Sequence, residues 1–201
     1  MTDLWQIERD LRASGYAVIC GVDEAGRGPL AGPVTAAAVI LPEGVELSGV
    51  DDSKKLTEAE RDTLFEEICA KATAYGIGLA TVEEIDEVNI LNATYLAMNR
   101  AIADLDVMPD LCLIDGNRAA GVLYPNECIV KGDSKCASIA AASILAKVHR
   151  DRLMVELHEM YPQYGFDRHK GYPTKAHYAA LDEHGASKVH RQTFLRKWRG
   201  E

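Results

Sequence analysis

The chain has 201 residues and a mass of 22.0 kDa, which suits one domain or one domain with an appended lobe. Hydrophobic residues make up 47% and charged residues 26%, so intrinsically disordered and fibrous proteins are excluded. The formal net charge of −9 argues against a polyanionic partner, but residues 1–130 hold 9 basic and 23 acidic residues, whereas residues 131–201 hold 13 and 8. We therefore expect an acidic body with a basic C-terminal third, which also contains all six histidines.

The cysteines and the apolar runs indicate the compartment. Five cysteines, at positions 20, 69, 112, 128 and 136, form no C-x-x-C pair, which is typical of reduced thiols in a cytosolic protein. The N-terminal segment contains acidic residues and lacks the apolar stretch of a secretory signal. The longest apolar run, Val34–Leu41, is far shorter than the roughly 18 residues that span a bilayer. These features predict a cytoplasmic protein.

The first half of the chain is predicted to begin with two strands and a helix. Tyr16–Val22 and Val34–Leu41 are apolar strand-like runs, joined by the Gly/Pro-rich segment 25–33. Thr57 and Glu60 form the pattern of a capping box, and apolar residues at helical spacing follow them as far as Gly76.

Strands and helices alternate in the middle of the chain, and helices dominate its end. The predicted elements are a strand at 76–82, a helix over 91–105, strands at 110–115 and 127–130, a long helix over 137–160, a loop over 161–174, and helices at 175–183 and 192–199. This order predicts an α/β domain with a mixed sheet over residues 1–145, followed by a helical C-terminal lobe over 146–201, unless the two form one continuous domain.

Acidic residues recur where the predicted strands and helices end. Asp23 and Glu24 follow the first strand, Asp115 ends a later strand, and Asp133 lies between glycine and serine before the long helix. Neighbouring strand ends would bring these carboxylates together, and like charges at close range need a cation between them. Hard oxygen ligands suit two Mg²⁺ or Mn²⁺ ions, which would support metal-assisted hydrolysis of a phosphodiester.

Each acid also has a structural interpretation. Asp133 has the position of a helix N-cap, Asp115 with its following glycine resembles a turn, and Asp23 with Glu24 could be a solvated strand end. Spacing alone leaves both interpretations open.

One long motif and five shorter ones resemble a known family. The run from Gly21 to Val34, GVDEAGRGPLAGPV, is similar to the signature of the type 2 ribonucleases H, or ribonuclease HII. The runs DSKKL (52–56), LIDGN (113–117), KGDS (131–134), AASILAKV (141–148) and HKGYPT (169–174) resemble that family's blocks in the family's order.

The resemblance implies a ribonuclease H-like mixed sheet flanked by helices, with a helical C-terminal extension that contributes to nucleic-acid binding. It also implies a metal-dependent endonuclease that hydrolyses the RNA strand of RNA/DNA hybrids and cuts 5′ to ribonucleotides in duplex DNA. The products would carry 3′-hydroxyl and 5′-phosphate ends, and misincorporated ribonucleotides and RNA primers would be removed. The family's four catalytic, metal-binding carboxylates correspond to Asp23, Glu24, Asp115 and Asp133.

Residues that bind the substrate are also implied. In the family, a glycine-arginine-glycine element and a tyrosine recognise the ribonucleotide at an RNA-to-DNA junction, and here they are Gly26, Arg27, Gly28 and Tyr172. Glycines let the backbone approach a sugar closely enough to detect a 2′-hydroxyl. Without the resemblance, Tyr172 would be a loop aromatic on the core and Arg27 a surface charge.

Further candidate contacts to the substrate are mostly cationic: Lys54, Lys55, Asn89, Lys147, Arg150, His169 and Lys170. Lys54 and Lys55 could instead form a solvated turn, Asn89 could cap a helix, and Arg150 could form a surface ion pair. We expect a monomer that binds hybrids and ribonucleotide-containing duplex DNA. The alternatives are a non-catalytic hybrid-binding protein with a structural cation, and a different nuclease or strand-transferase on the same fold.

Overall fold

The computed structural model describes residues 3–47, 49–50 and 56–201. Its centre is a five-stranded sheet with the strand order β3-β2-β1-β4-β5. The strands are β1 (Ile19–Ala25), β2 (Val34–Ile40), β3 (Ala74–Ala80), β4 (Leu111–Asp115) and β5 (Asn126–Ile129). β2 is antiparallel to both β1 and β3, whereas β4 is parallel to both β1 and β5. The predicted mixed sheet is therefore confirmed.

Seven α-helices are present in the described residues. They are α1 (Gln6–Ala13), α2 (Glu58–Lys71), α3 (Val82–Ala103), α4 (Ala137–Met160), α5 (Phe166–His169), α6 (Lys175–His184) and α7 (Arg196–Arg199). Short 3-10 turns cover Gly132–Ser134, Pro162–Tyr164 and Gln192–Leu195. No helix in these residues is long and apolar enough to cross a membrane.

The helices cover both faces of the sheet. Alternate residues of β2 point to opposite faces, so Ala36 and Ala38 pack in the cluster that contains α3, while Ala37 and Val39 pack in the cluster that contains α2 and α4. Because both faces are buried, β2 reads as a continuous apolar run rather than an alternating one.

Small residues let the helices approach the sheet closely. A Cβ atom at Gly21 in β1 would lie 2.2 Å from the backbone carbon of Ser138 in α4. A Cβ atom at Gly78 in β3 would lie 2.3 Å from the carbonyl oxygen of Ala97 in α3. These contacts place the first half of α4 directly on β1, the strand that carries the first two candidate acids.

The segment after α4 packs back onto the loop between β1 and β2. Leu30 and Ala31 of that loop lie in one apolar cluster with Met154, Phe166 and residues near the C-terminus. α4 runs without interruption through residues 145 and 146, so the proposed domain boundary falls inside a helix. The division into two domains stays a prediction.

Several elements differ from the sequence prediction. The helices α1 and α5 were not predicted, and β1 extends to Ala25, so Asp23 and Glu24 lie within the strand. α3 begins at Val82 rather than near residue 91, because Thr81 and Glu84 form a second capping box at its start. The predicted basic helix over 192–199 is a 3-10 turn followed by the four-residue α7.

Candidate active site

The strand register brings two of the predicted acids to the same level of the sheet. In the parallel pair β1 and β4, Val22 lies opposite Ile114. Asp23 and Asp115 are the next residues of the two strands, and their negative charges interact. The side chain of Asp23 is buried, with 6% of its surface exposed, and that of Glu24 is 13% exposed.

A hydrogen bond links this pair to the segment of the fourth acid. The carboxylate of Asp115 accepts a hydrogen bond of 2.6 Å from the backbone N–H of Gly132, and Asp133 is the next residue. Asp133 lies in a 3-10 turn, and the N-cap of α4 is Cys136. Asp133 is therefore not the cap of that helix. We call Asp23, Glu24, Asp115 and Asp133 the carboxylate edge.

Two acids of the carboxylate edge, Asp23 and Glu24, lie in surroundings that disfavour their ionised forms. Burial raises the pKa of Asp23 well above its usual value, and the charges of Glu24 and Asp115 raise it further, against a hydrogen bond with Ser143. Burial also raises the pKa of Glu24, whereas Arg27, 3.2 Å away, lowers it. A cation at this edge would offset both the free-energy cost of burying these negative charges and their mutual repulsion.

The donor set fits a hard divalent cation that keeps part of its water shell. In the part of the chain that the structure describes, no three acidic, histidine or cysteine side chains are close enough to form a ready-made metal site. Mg²⁺ commonly binds one or two carboxylates and completes its shell with water and substrate oxygens. The paired arrangement of Asp23 with Glu24 and with Asp115 is compatible with that mode.

A groove of about 480 Å³ begins beside Glu24. Its lining includes Glu24, Ala25, Gly26, Arg27, Gly28, Arg61, Ser143, Ile144, Lys147 and Tyr172. The predicted glycine-arginine-glycine element and the predicted tyrosine thus share one groove. A Cβ atom at Gly28 would lie 3.7 Å from the Tyr172 ring, an ordinary contact distance.

A second groove, of about 270 Å³, lies on the other side of Glu24 and Arg27. Asp115, Asn117, Arg118 and Tyr95 are among the residues that line it. The Glu24–Arg27 ion pair therefore borders both grooves. Arg118 and Tyr95 were not predicted as site residues, because neither belongs to a motif with a chemical signature.

Gly26 has a structural role within the protein, and its predicted contact with the substrate stays a prediction. Its φ is +94°, and a Cβ atom at this position would lie 2.0 Å from Nε of Arg150. An L side chain rarely adopts such a φ and would collide with the arginine. The missing Cβ of Gly26 thus makes room for Arg150 within the protein.

The expected surface position of Arg150 is wrong. Arg150 is 1% exposed, and its guanidinium donates hydrogen bonds to the carbonyl oxygens of Ala31, Pro33 and Lys170. The alternative of a surface ion pair does not fit this burial either, and the neighbouring Asp151 pairs with Lys147 at 2.7 Å. Lys147 itself lines the first groove, as predicted for a residue near the substrate.

Two predicted contacts in the loop before α6 are engaged within the protein. His169 accepts a hydrogen bond from the N–H of Gly171 at Nδ1, and its Nε2 lies 2.7 Å from the carbonyl oxygen of Tyr164. Lys170 donates to the carbonyl oxygen of Asp167, and its side chain is 12% exposed. Both side chains therefore stabilise the loop that carries Tyr172.

Asn89 caps a helix. Its side-chain oxygen accepts hydrogen bonds from the N–H groups of Leu91 and Asn92, and its φ of 69° marks a kink within α3. This geometry corresponds to the capping alternative. Lys54 and Lys55 lie outside the described residues.

Comparison with known proteins identifies the family. A family model described as Ribonuclease HII matches residues 20–198. A curated ribonuclease HII of Dechloromonas aromatica (strain RCB) is 60% identical over 177 residues, which cover 88% of this chain and 90% of that protein. The crystal structure of ribonuclease H2 from Pyrococcus horikoshii OT3 has a TM-score of 0.72 and 30% identity, covering 88% of this chain and 93% of that one.

A more distant structure, Bst-RNase HIII in complex with Mn²⁺, shares the fold with a TM-score of 0.70 at 18% identity, covering 92% of this chain and 69% of that one. The family match and the identity to the curated relative extend over most of the chain. The chain therefore belongs to the ribonuclease HII family and is a metal-dependent endonuclease.

Proposed function

We propose that this enzyme hydrolyses the RNA strand of RNA/DNA hybrids and cuts 5′ to single ribonucleotides in duplex DNA. The products carry 3′-hydroxyl and 5′-phosphate ends, so the enzyme removes misincorporated ribonucleotides and RNA primers. The observation that carries this proposal is that Glu24, one acid of the carboxylate edge, lines the same groove as Gly28 and Tyr172. We further propose that it works as a monomer in the cytoplasm.

The carboxylate edge supplies the metal ligands in this proposal. Asp23, Glu24, Asp115 and Asp133 hold two divalent ions, Mg²⁺ or Mn²⁺. When bound, such ions activate a water molecule and stabilise the leaving 3′ oxygen. The raised pKa values of Asp23 and Glu24 support this assignment, because burial and repulsion of these acids are offset when a cation is present.

The groove supplies substrate position. Arg27 and Lys147 place cationic groups at the groove wall, where phosphate oxygens are the natural partners. Tyr172 is 41% exposed and its ring lies beside Gly28, so a sugar can pack over the surface that the ring and the glycine backbone form together. Contact at that point distinguishes ribose from deoxyribose through the 2′-hydroxyl.

A denaturing gel tests the proposal directly. The substrate is an end-labelled DNA duplex with one ribonucleotide, incubated with Mg²⁺, Mn²⁺ or EDTA, and an all-DNA duplex is the control. We expect a single cut 5′ to the ribonucleotide with either metal, no cut in EDTA, and a 3′ end that a DNA polymerase extends. Binding without cleavage in both metals would instead indicate the non-catalytic hybrid-binding protein.

A further inference from the structure

Two buried arginines lie beneath the groove. Arg150 is 1% exposed and Arg191 is 0% exposed. Arg150 projects from α4, and Arg191 lies just before the last 3-10 turn of the chain. Neither side chain reaches the surface, so neither can contact a phosphate directly. We call this pair the arginine clamp.

Arg191 holds the glycine-arginine-glycine element from within. Its Nη2 donates a hydrogen bond of 2.6 Å to the carbonyl oxygen of Gly26, and its Nη1 donates one of 3.0 Å to that of Arg27. Its Nε donates to the carbonyl oxygen of Gly32 at 2.9 Å. One guanidinium therefore fixes three carbonyl groups of the loop between β1 and β2.

Arg150 joins the same loop to the segment of Tyr172. Its Nη1 donates a hydrogen bond of 3.0 Å to the carbonyl oxygen of Lys170, two residues before Tyr172. Its Nη2 and Nε donate to the carbonyl oxygens of Ala31 and Pro33. Its guanidinium carbon lies 5.9 Å from the centre of the Tyr172 ring. The clamp thus sets the spacing between the two predicted recognition elements.

The bonds to Gly26 and Arg27 also set the direction of the backbone. A trans peptide is planar, so its N–H points opposite to its C=O. Because Arg191 holds the carbonyl groups of Gly26 and Arg27, the N–H groups of Arg27 and Gly28 point away from the buried guanidinium. Both of these residues line the groove. Two backbone donors are thereby aimed at the space where the substrate is expected.

The chemistry of the clamp requires arginine. The planar guanidinium has five N–H donors in a fixed fork, whereas a lysine ammonium is a compact charge that cannot reach three separated carbonyl groups in one geometry. Burial lowers the pKa of Arg191 to about 9, and the charge of Arg150 acts in the same direction. Arg191 therefore still carries its charge and all its donors at neutral pH.

We propose that Arg191, together with Arg150, is a positioning residue for ribonucleotide recognition: it aims the backbone N–H groups of Arg27 and Gly28 at the substrate and fixes their distance from Tyr172. This inference rests on the proposed function, because it assigns a task to residues that support the recognition elements. The clamp touches neither the substrate nor the reacting atoms.

The test compares conservative variants on two substrates. Arg191→Lys and Arg150→Lys keep the charge but lose the fork. Arg12→Lys is the matched control, because Arg12 also donates to two backbone carbonyls, those of Ala17 and Leu41, in a region away from the groove. For each variant, kcat/KM is measured on a duplex with one embedded ribonucleotide and on a continuous RNA/DNA hybrid, below its melting temperature.

The selectivity ratio is kcat/KM on the embedded ribonucleotide divided by kcat/KM on the continuous hybrid. We expect Arg191→Lys to lower this ratio by about tenfold or more, since small displacements of positioning groups have large kinetic effects. Arg12→Lys should leave that ratio unchanged within about twofold, whatever its effect on melting temperature. A lower melting temperature of Arg191→Lys with the wild-type ratio would overturn the proposal. If Arg191→Lys does not fold, the ratio for Arg150→Lys decides in the same way.

A double-mutant cycle with Tyr172→Ala adds a second readout. If Arg191 acts by placing its loop against Tyr172, the double variant loses no more selectivity than the more damaging single variant. Independent, multiplicative losses would contradict the inference. Failure of the wild-type enzyme to cut at the embedded ribonucleotide would refute the proposed function, whereas wild-type cleavage with an unchanged ratio in the variants refutes only the role of the clamp.

Discussion

The carboxylate edge and the arginine clamp both adjoin the loop between β1 and β2, but their buried charged groups are partnered differently. At the edge, burial and the charges of Glu24 and Asp115 raise the pKa of Asp23, whereas hydrogen bonds with Ser143 and the backbone N–H of Glu24 act against this shift. In the clamp, the six guanidinium nitrogens of Arg150 and Arg191 each donate to a backbone carbonyl. Both sites keep a charge imbalance, but a metal ion can relieve that of the edge, whereas every guanidinium nitrogen of the clamp already has a partner within the protein.

This contrast predicts that substitutions at the edge change activity more than stability, and the largest effect is expected there. Asp115→Asn should lower kcat by about 10³-fold, because a neutral amide removes a preorganised negative charge. Its melting temperature should change little, since the amide oxygen can still accept from the N–H of Gly132. Single-turnover cleavage and thermal melting measure the two effects.

The control lies immediately before the same strand. The carboxylate of Asp110 accepts hydrogen bonds from the N–H groups of Ala17 and Val18 at 2.9 and 2.8 Å. Asp110→Asn should likewise change stability little, because an amide oxygen can still accept both hydrogen bonds, and it should preserve activity. Equal loss of activity in both variants would contradict the contrast.

Alanine substitutions at the two glycines of the recognition element should have different effects, one mainly on stability and the other mainly on substrate contact. Gly26→Ala combines a positive φ with a collision against Arg150, so we expect it to cost about 3 kcal/mol in the free energy of unfolding. Gly28→Ala meets only the Tyr172 ring at ordinary distance and should cost less than about 1 kcal/mol.

Activity on the embedded ribonucleotide should show the reverse order once stability is accounted for. At a temperature where both variants are folded, Gly28→Ala should lose about tenfold in kcat/KM, because its new methyl group occupies the face on which the sugar is proposed to pack. Denaturant unfolding and steady-state kinetics measure the pair. A fully active Gly28→Ala would show that the sugar does not approach this residue.

A buried histidine pair behind Tyr172 should make this side of the groove sensitive to acid. The N–H of Ser187 donates to Nδ1 of His190, so the proton of His190 lies on Nε2 and points to Nε2 of His177, 3.1 Å away. Nδ1 of His177 then donates to the carbonyl oxygen of Tyr172 at 3.0 Å. This chain of bonds requires both rings to be neutral.

Burial, followed by the neighbouring His177, lowers the pKa of His190 to about 4, from a usual value of 6.5. The unfolded chain therefore binds a proton more readily, so this contribution to stability is present above pH 6.5 and is lost as the pH falls toward 4. Between pH 7.5 and 5 we expect a loss of about 1 to 2 kcal/mol.

Across that pH range, the melting temperature of His190→Gln should depend less steeply on pH than that of the wild type. His184→Gln is the control, because His184 is exposed and should keep the wild-type slope. An identical pH dependence for His190→Gln and the wild type would show that His190 is not the titrating group.

The smallest effect is expected at Asn89, which tests whether this residue is only a cap. Asn89→Ala should cost about 1 kcal/mol because it loses the cap and because alanine tolerates a φ of 69° less well than asparagine, while Asn89→Gly should cost a few tenths of a kcal/mol. Neither change should alter KM. A raised KM for Asn89→Gly, at near-normal stability, would return Asn89 to the set of substrate contacts.

Local sequence signals predicted the elements that position the edge. The long helix was expected over 137–160 and is observed over the same residues, because its pattern and its flanking breakers are local. The capping box at Thr57 is confirmed for the same reason. The equivalent box at Thr81 was overlooked, although its signal was equally present in the sequence.

Long-range contacts could not be predicted in this way. Helical periodicity places Arg150 beside Lys147, but its partners Pro33 and Ala31 lie 117 and 119 residues away. Arg191 was not singled out, and its bonds to Gly26 and Arg27 span more than 160 residues. Which arginine is buried depends on the folded loop, and a single sequence contains no local signal for that.

The helix α4 has a consequence for how this site can change. Ser143 contacts the edge, Lys147 lines the groove and Arg150 belongs to the clamp, and their spacing puts all three on one side of the helix. Ser143 and Arg150 are separated by about 10 Å along the axis. A one-residue insertion between them would rotate one against the other by about 100°. Because one helix positions both the carboxylate edge and the arginine clamp, such a change would alter the chemical step and the recognition of the sugar together.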